Sequence, residues 1–370
     1  MRVTLVCPYD PSPVRTDAAA AVVGGVERVF DEVSQRLAAR GHQVTMLCTT
    51  DGDPGRTRQR GVEYVRVPRQ GTVLRDPVAR LASRVPADAD VVHVAATYPF
   101  TTPSVLRRSH ALGIPAVLDF HFEPTPGGAL GRAALGLYRK VGTPPYRLAD
   151  AVLVRSLSYG RAAPSLGGVP ESRWRILPNG IDPARFHPGA REEAGDHLLF
   201  VGRLVPYKGV EVLLRALALL RPCPPPWIVG DGPLRAHLEA LAKELQVPVT
   251  FLGRVGDADL PALYRGARLT VLPSVTGQEA FGISLIESMA CGTPVVASSL
   301  PGVAEVASVG GLVAPPGDPA ALAAQLRAAL EGGLERGATL ARRVHAAYSW
   351  DVVAERLLAV YAEVRDGPAE

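Results

Sequence analysis

LLFVGRLVPYKGVEVLLRALALLR, residues 198–221, reads as a short apolar strand, a turn holding glycine and proline, and a helical pattern over about 208–221. A brief apolar run bounded by turn residues suits a strand buried on both faces, and the change of period behind it marks a β-α unit. The unit recurs outward. C-terminal to it, strands fit at 227–229, 249–251, 269–272 and 295–297, with helices at 232–246, 257–266, 282–291 and 318–331. N-terminal to it, strands fit at 3–7, 44–48, 62–67, 91–94, 116–119 and 151–154. Residues 26–40 set Val26, Val29, Phe30, Val33 and Leu37 at helical spacing before Gly41 stops the helix. This alternation, read twice, predicts an α/β protein of two Rossmann-like, doubly wound parallel-sheet domains. The length, 370 residues, also exceeds the roughly 250–300 at which one core stops growing.

The polar segment 182–196, with its Pro and Gly, is the best linker, so the expected domains are 1–185 and 186–345. Residues 346–370 are expected to form a C-terminal helix packing back toward the first domain, with Trp350 and Tyr361 as anchors. Ligands of open parallel sheets bind beyond the carboxyl ends of the strands, so two such domains are expected to face a shared cleft.

Composition excludes several functions. The formal charge of +4 is mild and its basic residues are scattered, which does not suggest nucleic acid. Cys7, Cys48, Cys223 and Cys291 are far apart, without the paired spacing of a zinc site or a disulfide framework. The apolar run before Pro8 is too short for a secretory core of ~7–15 residues, and no stretch approaches the ~18–20 of a membrane span. A cytoplasmic protein is expected, with peripheral contact at the inner membrane face as an option. For that contact, residues 130–147 mix apolar positions with Arg132, Arg139, Lys140 and Arg147. A core-packed helix with a basic outer face is the plainer reading. Three Asp-x-Asp strings, at 51/53, 88/90 and 257/259, lie in polar loops or at a helix start and are not read as metal sites.

PSVTGQEAFGISLIESMACGTPVVAS, residues 273–298, carries the chemistry. Glu279 precedes a helix opened by Gly282, and Glu287 lies on that helix, so both carboxylates can look into one pocket. The free N–H groups around Gly282, Ile283 and Ser284 would point at an anion such as a diphosphate. Read structurally instead, Glu279 only offsets the helix dipole, by about 0.3–1 kcal/mol, and Glu287 is a solvated charge. Arg203 and Lys208, after the strand ending at Val201, add two cations at the sheet's mouth. They could neutralise a diphosphate and go on stabilising it as charge builds on a departing nucleotide, with no metal or cofactor required. The chain has three lysines against thirty-seven arginines, so a lysine at this position stands out. Gly24 and Gly25 open the first helix and would let backbone N–H groups approach an anion. They do not form a dinucleotide fingerprint.

Glu279-x7-Glu287 within EAFGISLIE closely resembles the signature of the retaining GT-B glycosyltransferases of family 4, which include many mannosyl- and glucosyltransferases. Further matches follow in the family's order: GGVERVFDEVSQRLAARGHQVTML at 24–47, LPNGIDPARFHP at 177–188, FVGRLVPYKGVEVLLRAL at 200–217, VGDGP at 229–233 and FLGRV at 251–255. The resemblance covers nearly the whole chain. It implies a sugar transferred from a nucleoside diphosphate sugar to an acceptor hydroxyl, with retention, and the GT-B pair of domains. It further implies that Arg203 and Lys208 contact the donor diphosphate and that the Gly24-Gly25 loop lies against the donor phosphate and the acceptor. By the same resemblance His121 sits close to the transferred sugar, and Asp231, Gly232, Arg254 and Val255 lie near the base. Phe281, Gly282, Ile283 and Ser284 open the donor helix, with Glu287 for ribose hydroxyls and Glu279 for sugar hydroxyls. Asn179-Gly180 marks the crossing to the second domain. Asp119 and Glu123 flank His121 unusually, and their roles stay open, as do base, sugar and acceptor. A sugar-nucleotide epimerase and a non-catalytic sugar-nucleotide-binding subunit are the alternatives; release of the nucleoside diphosphate only when acceptor is present discriminates.

Overall fold

The computed structural model describes residues 1–12, 25–73, 76–125, 128–189 and 195–367. Packing divides the chain into two units, Met1–Asn179 with Trp350–Glu370, and Gly180–Ser349.

Unit 1 holds β1 (Arg2–Val6), α1 (Gly25–Ala39), β2 (Gln43–Thr50), β3 (Gly55–Gln59), β4 (Val62–Pro68), a hairpin of β5 (Gly71–Val73) and β6 (Asp76–Val78), and β7 (Val91–Ala95). There follow α2 (Thr101–Leu112), β8 (Ala116–Asp119), α3 (Gly128–Val141), β9 (Ala151–Val154), α4 (Leu157–Arg161) and β10 (Trp174–Ile176). Among the described residues the main sheet runs β10-β9-β8-β7-β1-β2-β4-β3, parallel except where β3 pairs antiparallel with β4. The central strands β7, β8 and β9 are buried along their whole length, as strands covered on both faces must be. β3, by contrast, reads GRTRQ and is almost wholly exposed. An edge strand pairs through its backbone without needing an apolar face, so its side chains advertise nothing.

Unit 2 holds β11 (His197–Val201), α5 (Val210–Leu219), β12 (Pro226–Val229), α6 (Arg235–Glu244), β13 (Thr250–Gly253), α7 (Leu260–Gly266) and β14 (Ala267–Leu272). It continues with α8 (Ile283–Ala290), β15 (Val295–Ser298), α9 (Val303–Ala307), β16 (Gly311–Ala314), α10 (Pro319–Glu331) and α11 (Gly337–Tyr348). Its sheet runs β13-β12-β11-β14-β15-β16, and every pairing is parallel. α5 turns Val210, Leu213, Leu214 and Leu217 into a core shared with Leu198, Phe200 and Ile228.

The last helix, α12 (Trp350–Asp366), belongs to unit 1. Trp350, Val353, Leu357, Val360 and Tyr361 share one face and join Val29, Phe30, Val33 and Leu37 of α1 in the core of that unit. Burying each large side chain contributes roughly 1.5–3 kcal/mol, which makes the tail part of the fold rather than an appendage. The chain crosses at Asn179/Gly180 and returns at Ser349/Trp350, rather than at 185/186 and 345/346. The reason is local. Ile181 bridges to Ser349, and Phe186 is fully buried in unit 2 with its carbonyl 2.8 Å from Nε2 of His345.

Each of the two main sheets has a switch point where the chain leaves a central strand and starts growing the other way. In unit 1, β1 lies between β2 and β7; in unit 2, β11 lies between β12 and β14. The loops leaving β11 and β14 therefore diverge around a crevice, and such a switch point is where open α/β sheets bind ligands.

Candidate functional site

Residues 202–209 leave β11 and residues 273–282 leave β14, and backbone contacts join the two loops. The N–H of Val275 donates to the Tyr207 carbonyl at 2.8 Å. Gly209 has φ of +66° and lies so close to the second loop that a Cβ there would sit 2.0 Å from the Pro273 oxygen. The loop after β12 closes in from the other side. A Cβ on Gly230 would meet the Gly202 oxygen at 1.9 Å, and one on Gly232 the Leu204 oxygen at 2.4 Å. Only glycine permits backbones to approach this closely.

This framework brings Lys208 and Glu279 together. Nζ of Lys208 lies 2.5 Å from Oε2 of Glu279, which also accepts a 3.3 Å bond from the Ser274 hydroxyl. The two side chains are 15% and 11% exposed, so the pair is largely sheltered yet still reachable. Burial alone would lower the Lys208 pKa, but Glu279, Tyr207 and Glu287 outweigh it and raise it above the ordinary 10.5. Lys208 is thus a fixed cation at neutral pH. A raised pKa stabilises the fold below the unfolded value, and that contribution disappears only as pH rises beyond about 10.4.

Gly282, with φ of +80°, is the N-cap of α8, and no side chain among the described residues caps that end. The first N–H groups of α8, including those of Ile283 and Ser284, therefore lack an intrahelical partner. Glu287, one turn on, is buried and accepts a 2.8 Å bond from the Tyr264 hydroxyl through Oε2. Burial, and then Glu287 itself, push the Tyr264 pKa well up, so it remains a phenol and a donor. Glu279, Glu287, Lys208 and the start of α8 share one neighbourhood of unit 2.

The other residues singled out by sequence are placed differently. Arg203 and Arg254 are exposed, and neither side chain makes a hydrogen bond or ion pair with the described residues. Asp231 is exposed and accepts from the N–H of Gly232 at 2.8 Å, a local turn contact. Val255 is partly buried against the core. Phe281 is 4% exposed and meets Tyr348 edge-on at 5.9 Å, so its ring is core and only its backbone can serve a ligand. Gly24 lies outside the described residues. Gly25 begins α1, and among the described residues nothing lies within 4 Å of where a Cβ there would sit.

In unit 1, His121 follows β8 and its Nε2 lies 3.1 Å from Oδ2 of Asp119. That carboxylate is fully buried and is also held by the Arg155 guanidinium, which donates in addition to the Leu177 carbonyl at 2.8 Å. Nε2 of His93 approaches the same Oδ2 at 3.3 Å, while its Nδ1 is 2.6 Å from the hydroxyl of Tyr361. Burial by itself would raise the Asp119 pKa; Arg155 first and the two imidazoles after it hold it well below the usual range. Glu123 is committed elsewhere, to Arg139 at 2.8 Å and to the hydroxyl of Ser165 at 2.8 Å. Arg155, His93 and Tyr264 join these groups only in the folded structure. Arg155 directly follows β9 and His93 is the one polar residue of VVHVA, signals of the same kind that selected His121.

Residues 195–332 match the family described as Glycosyl transferases group 1, and residues 23–185 match Glycosyltransferase Family 4. A phosphatidyl-myo-inositol mannosyltransferase of Mycobacterium leprae is 31% identical, covering 98% of this chain and 97% of its own. A D-inositol 3-phosphate glycosyltransferase of Acidothermus cellulolyticus is 28% identical, covering 94% and 86%. Among solved structures, sucrose-phosphate synthase from Thermosynechococcus elongatus matches with a TM-score of 0.71 at 24% identity, covering 98% of each chain. Anabaena HepE in complex with UDP matches with a TM-score of 0.76 at 19% identity, covering 98% of this chain and 100% of its own. These last two likenesses are of fold, and they identify the pair of parallel-sheet units as GT-B.

Proposed function

This chain belongs to glycosyltransferase family 4 and is a glycosyltransferase; on that premise we propose that it moves a sugar from a nucleoside diphosphate sugar to an acceptor hydroxyl with retention at the anomeric carbon. One observation carries the reading: Lys208 and Glu279 meet at the switch point of unit 2, beside the uncapped start of α8. The diphosphate lies on the N-terminus of α8, with Lys208 and the unpaired Arg203 neutralising its charge. Glu279 takes hydroxyls of the sugar and orients Lys208, Glu287 takes the ribose, and Asp231, Gly232, Arg254 and Val255 lie along the base. His121 accepts from a hydroxyl of the transferred sugar.

The bond from the anomeric carbon to the phosphate oxygen breaks as the bond to the acceptor oxygen forms on the same face. The acceptor's proton passes to the departing phosphate. Because two side-chain cations and a helix end carry the developing charge, no metal or cofactor is required. The names of the relatives put inositol phosphates and phosphatidylinositol beside glycans and small glycosides on the acceptor panel. Thermal shift against UDP-, GDP- and ADP-sugars is expected to single out one donor. Release of its nucleoside diphosphate is expected only with acceptor present and to stay within about twofold in excess EDTA. Loss of turnover in EDTA, or donor splitting with no acceptor product, would count against this reading.

A peripheral membrane contact belongs to the same proposal. No described helix is long and apolar enough to cross a membrane. α3 nevertheless exposes Leu137 (64%) and Val141 (61%) next to the exposed Arg132 and Lys140. Such a surface suits anionic lipid. The protein is expected to co-sediment with phosphatidylserine vesicles but not phosphatidylcholine vesicles, and Leu137→Glu is expected to release it; equal recovery with both lipids would argue against it.

A further inference from the structure

Glu287 is held by more than its own helix. It is buried on α8, and the hydroxyl of Tyr264, with no exposure on α7, donates to its Oε2 at 2.8 Å. The last torsion of a glutamate is broad, so its carboxylate turns freely unless a contact fixes it. The phenol supplies that contact because it is itself pinned. Its ring lies beside Phe186, with centroids 6.2 Å apart, and the Tyr264 carbonyl accepts from the Thr293 hydroxyl at 2.7 Å. Thr293 follows α8 and is tied back to it: its N–H donates to the Ser288 carbonyl at 3.0 Å, and its own carbonyl accepts from the Ser288 hydroxyl at 2.9 Å. That same hydroxyl, on the residue next to Glu287, lies 2.8 Å from Oγ1 of Thr270 on β14. Thr270, Ser288 and Thr293 are all buried, so α7, α8 and β14 are set in one register around the carboxylate, within unit 2. The rest of the surroundings are apolar, with Phe186, Leu285, Ile286 and Met289 in the same cluster as Tyr264. Packing alone does not call for a hydroxyl there, since burying a polar pair costs more than burying apolar groups of the same size.

We propose that Tyr264 is a positioning residue for the donor: its phenol holds the Glu287 carboxylate in the orientation that accepts ribose hydroxyls, and so sets a preference for ribonucleotides over their deoxy counterparts. The inference rests on the donor reading given above, in which Glu287 takes the ribose. A carboxylate offers roughly four acceptor positions across its two oxygens, so one bond from Tyr264 fixes the group without exhausting it. Burial and Glu287 keep the phenol protonated, which leaves it a donor. Ribose hydroxyls that meet an acceptor already aimed at them bind more tightly than hydroxyls that must first order it. An analogue without those hydroxyls gains nothing from the aim, and the preference between the two therefore reports it.

The test measures binding of UDP, GDP and ADP, each beside its 2′,3′-dideoxy counterpart, to the full chain by titration calorimetry. Wild type is expected to bind the ribose form of its preferred nucleotide about 10–100-fold more tightly than the dideoxy form, the range for hydrogen bonds to a charged group. Tyr264→Phe removes one oxygen and keeps the ring beside Phe186. It is expected to bring that ratio below about threefold by weakening the ribose form, with the dideoxy form staying within about twofold of wild type. In Glu287→Gln the ratio is expected to fall as far, and adding Tyr264→Phe to it is expected to change the ratio no further. If Tyr264→Phe weakens both forms alike and keeps the ratio, its role is merely structural and the proposal is overturned; unchanged affinities overturn it too. Should that variant not fold, a crystal structure of wild type with the nucleotide decides: a carboxylate touching both phenol and ribose supports the proposal, and one that has left Tyr264 overturns it. A wild type that binds none of the three nucleotides overturns the donor reading and this proposal with it, and one that ignores the ribose hydroxyls overturns the role given to Glu287. A wild type that discriminates, with the same ratio in Tyr264→Phe, leaves that reading intact and removes Tyr264 alone.

Discussion

Lys208→Met is expected to lower turnover by about 10²–10³-fold, the range seen when one preorganised charge-stabilising donor is removed. Methionine keeps most of the stem's volume while removing the ammonium, so the loss reports charge rather than packing. A second effect follows from the partner. Glu279, 11% exposed on its side chain, is left with only Ser274 and loses the cation that offsets its burial. Removing one member of a sheltered pair costs about 3 kcal/mol. The two effects separate in the double variant Lys208→Met/Glu279→Gln. Stability measured by urea unfolding is expected to recover most of the loss, because no charge is left stranded, while turnover stays low. Near-normal turnover in Lys208→Met would remove Lys208 from the donor site.

Arg155→Met is the change expected to cost most in stability, about 3–5 kcal/mol, because it strands a carboxylate with no exposure and also deletes the bond to the Leu177 carbonyl. Calorimetry resolves it as a fall of roughly 10 °C in the transition of unit 1. The pH dependence has a definite sign. The Asp119 pKa is held below its ordinary 3.8, so its contribution is fully present above about pH 4 and disappears as pH falls through the folded-state value. Arg155→Met reverses the shift, since burial then dominates and the carboxyl takes up a proton on folding. The variant is expected to lose less stability than wild type between about pH 5 and 3. Parallel acid profiles for the two proteins would show that Asp119 is not held by Arg155.

The second-half strands were legible because parallel strands covered on both faces read as nearly continuous apolar runs, as in VVAS of β15 and LTVL within β14. The edges were not. β3, β10 and β16 pair on one side only, so GRTRQ and WRI carry no stripe to read. At the site, Lys208 stood out by composition and Glu279 and Glu287 by spacing, but spacing along one segment said nothing about a partner 71 residues away. Tyr264 as partner of Glu287, and Arg155 and His93 as partners of Asp119, were invisible for the same reason.

Local patterning and turn chemistry, both encoded within a few residues, determined two α/β units, the position of most strands and helices, the family and the candidate ligand residues. Strand order belonged to the tertiary structure alone. It placed β14 beside β11 and β8 between β7 and β9, so that Lys208 meets Glu279 and His93, His121 and Arg155 converge on the Asp119 carboxylate. Electrostatic and hydrogen-bond energies depend on distance in space, and only the packed sheet turns separation along the chain into contacts of about 3 Å.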